Sequence, residues 1–150
     1  MPELTPPLAT AFVHQSVPAI GRLGVVVDAI DAGLVLLRIP IEGNANHLGT
    51  MYAGALFALA ELPGGLLPLA VLEPGRYVPI VTDMQVQFVA AARTDVTLTA
   101  RLEPEHIRAL AARADAEGRA EFVLELHAED AGGRTVLTSR ATYQLRPART

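Results

Sequence analysis

The chain has 150 residues, 51% of them apolar and 19% charged, and carries a formal net charge of −4. That is enough for one domain with a sizeable core, and the chain is too apolar to stay disordered. Its mild acidity argues against a nucleic-acid partner, the absence of cysteine excludes disulfides and thiolate metal sites, and the absence of lysine excludes Schiff-base chemistry.

The opening run MPELTPPLATAFVHQSVPAIGRLG has no basic segment followed by a continuous apolar one, so it does not read as a signal peptide. A cytoplasmic protein is expected. Residues Pro7 to Ser16 suit a short helix that Pro18 stops. GVVVDAIDAG and LVLLRIPIE then form two β-branched runs joined at Asp31-Ala32-Gly33, a hairpin pattern. Gly43 to Asn46 is a polar loop. From Ala53 the chain turns densely apolar without alternating, and Leu56, Leu59, Ala60 and Pro63 follow helical spacing. Apolar residues lie nearly all round this helix, as expected of a buried one. Pro63 and Gly64-Gly65 should bend or loosen it. Glu61, prolines and glycines interrupt Ala53 to Leu72, so no membrane span and no membrane partner is expected.

VPIVTDMQVQFVAAA alternates as a strand, with Ile80, Thr82, Met84, Val86 and Phe88 on one face and Asp83, Gln85 and Gln87 on the other. DVTLTARL alternates likewise. Glu105 to Ala116 places Ile107, Leu110, Ala111 and Ala114 at helical spacing before Gly118. AEFVLELHAED and RTVLTSRATYQL are two more strands around an AGG turn. An antiparallel sheet wrapped around one buried helix is an α+β architecture. The sheet cannot cover that helix on every side, so a second copy should complete it as a symmetric homodimer.

The chemistry concentrates in NANHLGTMYAGALFALAELPGG. A carboxylate such as Glu61 among Ala and Leu is costly unless exposed, paired or used. If the helix starts near Tyr52 to Gly54, its first amides have no intrahelical acceptor and suit an oxyanion. Gly54 permits close approach to the backbone, and Glu61 follows two turns later on the same face. Such a pairing fits hydrolysis of an activated acyl group. Asn46, in the preceding loop, could hold the carbonyl or the water. By themselves these residues also fit a helix that merely begins with glycine and carries a structural glutamate.

The stretch from Asn46 to Glu61 resembles the motif of hotdog-fold acyl-CoA thioesterases of the PaaI-like and 4-hydroxybenzoyl-CoA thioesterase type. That motif runs Asn, a short glycine-containing gap, His-Gly-Gly, six residues, then Asp or Glu. Asn46 matches the Asn, Tyr52-Ala53-Gly54 stands at His-Gly-Gly, and Glu61 falls at the carboxylate. The resemblance extends over Gly21 to Arg146. It implies a hotdog fold, with an antiparallel sheet around a long central helix. It also implies hydrolysis of an acyl-CoA to an acid and free thiol, with coenzyme A entering only as part of the substrate and no metal or other cofactor. Glu61 would be general base or nucleophile through a mixed anhydride. Asn46 would orient water or thioester, and the amide of Ala53 or Gly54 would bind the carbonyl oxygen. In the homodimer, Glu61 of one chain would act across from the helix start of the other; hotdog dimers also pair into tetramers. A non-catalytic acyl-ligand binding protein on the same fold is the alternative. The paired Asp and His of hotdog dehydratases are not found.

The remaining candidates divide between two readings each. Tyr52 packs at the dimer seam or lines the acyl pocket. His47 touches substrate or is a loop residue. Thr82 touches substrate near Glu61 or is a core hydroxyl bonded to a backbone carbonyl. Arg93, Arg101 and Arg140 could meet coenzyme A phosphates, although such residues are more often solvated strand-face charges, and the sequence does not choose among the three.

Overall fold

The computed structural model describes residues 3–149. Two helices open the chain, α1 (Pro6–Ser16) and α2 (Pro18–Leu23). The second was not anticipated beyond Pro18. A proline without an amide hydrogen ends α1 but is well suited to the first position of a new helix, and Gly24 closes α2 with φ 74°. Strands β1 (Val26–Asp31) and β2 (Leu34–Ile39) form the expected hairpin. Its turn depends on Gly33, which has φ 82° and where a Cβ would lie 2.8 Å from the Leu102 carbonyl oxygen.

The buried helix comes in two segments, α3 (Ala53–Glu61) and α4 (Pro63–Leu69), joined through Leu62, which keeps helical angles of φ −59° and ψ −37°. Pro63 has no amide to continue the ladder, so the break falls where its ring must. The chain then runs through β3 (Tyr77–Phe88), β4 (Val96–Arg101), α5 (Pro104–Glu117), β5 (Ala120–Asp130) and β6 (Thr135–Pro147). Gly118 ends α5 at φ 86°. All strands are antiparallel neighbours in one six-stranded sheet of order β1-β2-β4-β5-β6-β3.

One sheet face is apolar and buried under the helices. Val35, Leu37, Ile39, Leu98, Leu124, Ala141 and Tyr143 join Leu56, Leu59, Leu66 and Leu67 in a continuous core. The helix α5 adds Ile107, Leu110 and Ala114 to it. The opposite face carries Thr99, Glu121, Glu125 and Arg140, all exposed. This one-sided burial is what the strict alternation in β5 and β6 encodes.

Strand β3 departs from its expected alternation. Val81 pairs with Tyr143 and Asp83 with Thr142, which leaves Thr82 as an extra residue in a bulge. The bulge reverses the faces. Ile80, opposite Gln144, lies on the outer face, whereas Met84, opposite Ala141, lies on the inner one. Ile80 and Met84 therefore do not share a face, and Thr82 belongs to neither regular row.

The two sheet edges are treated differently. At β1, the Val27 amide donates to Thr10 Oγ1 at 3.0 Å and the Val25 carbonyl lies 2.7 Å from His14 Nε2, so α1 occupies that edge. The other edge is β3, whose exposed apolar residues include Val78, Ile80, Val81 and Phe88.

Candidate active site

The loop before α3 is built by its asparagines. Asn44 is buried and donates through Nδ2 to the carbonyls of Leu23 at 2.7 Å and Pro40 at 2.9 Å. Its own carbonyl accepts the Tyr52 amide at 2.8 Å, which fixes where the helix begins. Asn46 Oδ1 accepts the amides of Leu48 at 2.9 Å and Thr50 at 3.1 Å and the Thr50 hydroxyl at 3.1 Å. The Asn46 carbonyl oxygen of the side chain is therefore committed to the loop, and its Nδ2 is the part left to meet a ligand. Gly49 turns the chain at φ 76°. The Met51 amide ties the loop to Ala92 O at 2.8 Å.

Tyr52 is the N-cap of α3, and the first helical amides to reach its carbonyl are those of Ala55 at 3.0 Å and Leu56 at 3.2 Å. The amides of Ala53 and Gly54 have no backbone acceptor among the described residues. They are the donors a helix start offers to an oxyanion. A Cβ at Gly54 would lie 2.4 Å from the Tyr52 ring, whose exposed end is free to swing aside. The ring folds back over the first turn. Tyr52 and His47 are both exposed. Arg93 reaches this loop, with its guanidinium 3.5 Å from Leu48 O, while Arg140 pairs with Glu125 at 3.4 Å on the outer sheet face.

Glu61 lies at the far end of α3. Seven residues separate it from Gly54, a rise of about 10 Å along the axis. Within one chain the carboxylate and the free amides are therefore too far apart to act on one carbonyl group. Glu61 is half-buried and forms no ion pair among the described residues. Burial alone pushes its carboxyl above the ordinary glutamate value.

The main chain at Glu61 is held from below. After the break at Pro63, the Gly65 amide bonds to Leu62 O at 3.0 Å, and the Glu61 carbonyl instead accepts the Tyr143 hydroxyl at 2.9 Å. The Tyr143 ring stacks on Phe122 with centroids 5.2 Å apart. It fits only because residue 64 is glycine: a Cβ there would lie 1.9 Å from the ring. The Pro63-Gly64 pair thus opens the helix and admits the tyrosine that supports Glu61.

Glu61 faces a cavity of about 560 Å³ between α1, α4 and the start of β3. Its wall is mainly apolar, including Phe12, Val13, Val17, Leu62, Leu66 and Leu69. Among the described residues no Arg or His contributes to the wall. Of the residues singled out in the sequence, Glu61 alone borders this cavity. Asn46, His47, Tyr52, Ala53 and Gly54 gather at the other end of α3. Thr82 sits in the β3 bulge, exposed, and donates to Thr142 O at 3.3 Å. It is bonded to a backbone carbonyl, but at the surface and away from the cavity. The residues that sequence reasoning missed are those of α1, Gly65 and Tyr143. Phe12 and Val13 carried a signal as neighbouring apolar positions of α1, and Val17, the residue that caps it, follows Val13 at helical spacing. Among the described residues no three His, Cys, Asp or Glu side chains gather as a metal site.

A model of the family described as "Domain of unknown function (DUF4442)" matches residues 7–145. The chain belongs to the DUF4442 family. A solved Pseudomonas aeruginosa structure, PA5026, named a protein of unknown function and "Probable Thioesterase", resembles this DUF4442 chain with a TM-score of 0.87 and 43% identity, over 94% of this chain and 95% of that one. Thioesterase HI1161 from Haemophilus influenzae shares the fold at a TM-score of 0.75 and 18% identity, over 97% and 93% of the two chains. A Deinococcus radiodurans protein named "Putative esterase" is 30% identical over 122 residues, which is 81% of this chain and 69% of that protein. The DUF4442 chain is an α+β protein with the hotdog fold of the thioesterase-like superfamily.

Proposed function

We propose that this protein is an acyl-CoA thioesterase in which Glu61 is the catalytic carboxylate. The observation that carries the reading is a half-buried, ion-pair-free carboxylate on the wall of an apolar cavity. A general base works best when its proton affinity is lifted toward the working pH, and burial does this to Glu61. As base, Glu61 takes a proton from water while the oxygen attacks the thioester carbonyl. The C–S bond then breaks, and the leaving thiolate takes up the proton held by Glu61, which restores the carboxylate. As nucleophile, a Glu61 oxygen attacks the carbonyl, the thiolate leaves, and water hydrolyses the resulting mixed anhydride. Either route places negative charge on the carbonyl oxygen, for which the amides of Ala53 or Gly54 are the donors. Coenzyme A is part of the substrate, and no metal or other cofactor takes part. Asn46 Nδ2 orients the thioester or the water.

The 10 Å rise between those amides and Glu61 in one helix favours a two-chain site. The unblocked β3 edge supports a homodimer, because α1 already fills the β1 edge. Leu48, Tyr52 and Phe57 are further exposed apolar residues that a second copy would have reason to cover. In this arrangement Glu61 of one chain meets the helix start of the other.

A panel of acyl-CoAs assayed for thiol release tests the reading; measurable turnover supports it. The second reading is acyl-CoA binding without hydrolysis, favoured by the Tyr52 ring over Gly54. That reading predicts thermal stabilisation by acyl-CoA with no thiol released.

A further inference from the structure

Gly64 and Gly65 are adjacent in α4, yet only one of them has a packing reason to be glycine. A side chain at Gly64 would collide with the Tyr143 ring. At Gly65 a Cβ would meet only Pro79 Cγ at 3.8 Å, an ordinary contact, and the backbone there does not have positive φ. Glycine inside a helix is about 1 kcal/mol less favourable than alanine. Neither sterics nor backbone conformation accounts for that cost at Gly65. What distinguishes the position is that it borders the cavity, four residues and one helical turn beyond Glu61 on the same side.

The cavity itself narrows the class of ligand. Its volume of about 560 Å³ is within the ordinary range for small-molecule sites, roughly 300–1,000 Å³. A cavity of about 150 Å³ is enough to hold benzene, so a single aromatic ring would leave this one mostly unfilled. The ionisable carboxyl groups on its wall are Glu61 and Glu73, which disfavour an acyl group ending in a carboxylate. The Tyr77 hydroxyl, also on the wall, is already donated to Asp115 at 2.8 Å. Ser16 and the two glutamates are the other polar side chains among the described lining residues, and the larger part of the wall is apolar surface suited to methylenes.

We propose that the cavity between α1, α4 and β3 is an acyl subsite for an unbranched aliphatic chain of medium or greater length, and that Gly65 sets the length accepted by leaving the passage beside Glu61 open. The proposal rests on the acyl-thioester reading above and adds the substrate class to it. The experiment compares butyl-CoA and dodecyl-CoA thioethers, which cannot be hydrolysed, by titration calorimetry against the wild type, Gly65→Ala and Gly65→Leu. One misplaced methylene in an apolar pocket is worth about tenfold or more. The ratio of dodecyl to butyl affinity is expected to fall by at least about tenfold in Gly65→Leu, and by less in Gly65→Ala. An unchanged ratio in both folded variants overturns the proposal, as does tighter wild-type binding of the succinyl or 4-hydroxybenzoyl thioether analogues than of the dodecyl one. Binding is read without turnover. A protein that hydrolyses no acyl-CoA but shows the expected fall would keep the subsite and lose the catalytic reading.

Discussion

Replacing Tyr143 with Phe removes a single oxygen beneath Glu61 and leaves the ring. The hydroxyl donates to the Glu61 carbonyl at 2.9 Å, and the amide that would otherwise serve that carbonyl, from Gly65, is turned to Leu62. Burial, followed by the charge of Glu61, pushes the Tyr143 hydroxyl well above the usual tyrosine range, so it stays a donor at every working pH. The stack on Phe122 survives in Tyr143→Phe, so no cavity opens. The cost is then an unpaired carbonyl, about 1–3 kcal/mol. For a chain of this length each kcal/mol lowers Tm by about 2–4 °C, so a fall of roughly 2–12 °C is expected. The same loss frees the backbone that carries the carboxylate, and misplacing a catalytic group by even 1 Å costs on the order of a hundredfold in rate. Circular-dichroism melts and acyl-CoA turnover read the two effects separately. Tm should fall, and kcat should fall more than KM rises. An unchanged Tm would refute the bond, and a lowered Tm with an unchanged kcat would refute its role in positioning Glu61.

Glu61→Gln should alter stability in a pH-dependent way. Burial raises the folded-state pKa of Glu61, so the protonated carboxyl favours the fold below 4.5 and that contribution is lost as pH rises through the folded value. The variant should therefore melt above wild type at neutral pH and close to it in acid; the opposite order contradicts a buried carboxylate. Asn46→Ala removes the acceptor of three hydrogen bonds. It should speed hydrogen exchange at the Leu48 and Thr50 amides and cost about 1–2 kcal/mol in urea unfolding. Ile80→Arg places a charge beside the open β3 edge. Wild type should sediment at a multiple of 15.9 kDa and the variant should shift toward the monomer, whereas a monomeric wild type removes the two-chain site.

Much of the fold was legible because burial here is one-sided. Residues 120–130 and 135–147 alternate so regularly that their faces could be assigned from the sequence, with Gly118 just before the first and Gly133 in the turn between them. The β3 bulge was not legible. Thr82 continues the alternation of Ile80 and Met84, and its exclusion comes from the pairing of β3 with β6. Pro18 reads as a stop when only α1 is considered, and as a start once the following turn is seen. At the site, Glu61 stood out as a charge in an apolar helix, but its surroundings did not. The cavity wall comes from α1, far earlier in the chain, and the supporting hydroxyl comes from Tyr143, 82 residues later. Such neighbours are set by topology, which no local spacing records. Asn46 was read toward a ligand because of its place in the motif; its Oδ1 turns inward to organise the loop.

The central claim is that the Glu61 carboxylate does the chemistry. The most direct measurement is kcat/KM for dodecanoyl-CoA hydrolysis by wild type and Glu61→Gln, with folding of both confirmed by their melts. Removing a general base of this kind costs on the order of 10²–10⁴-fold. The account predicts a loss in that range with dodecyl-CoA thioether binding retained. Equal rates in the two proteins would contradict it.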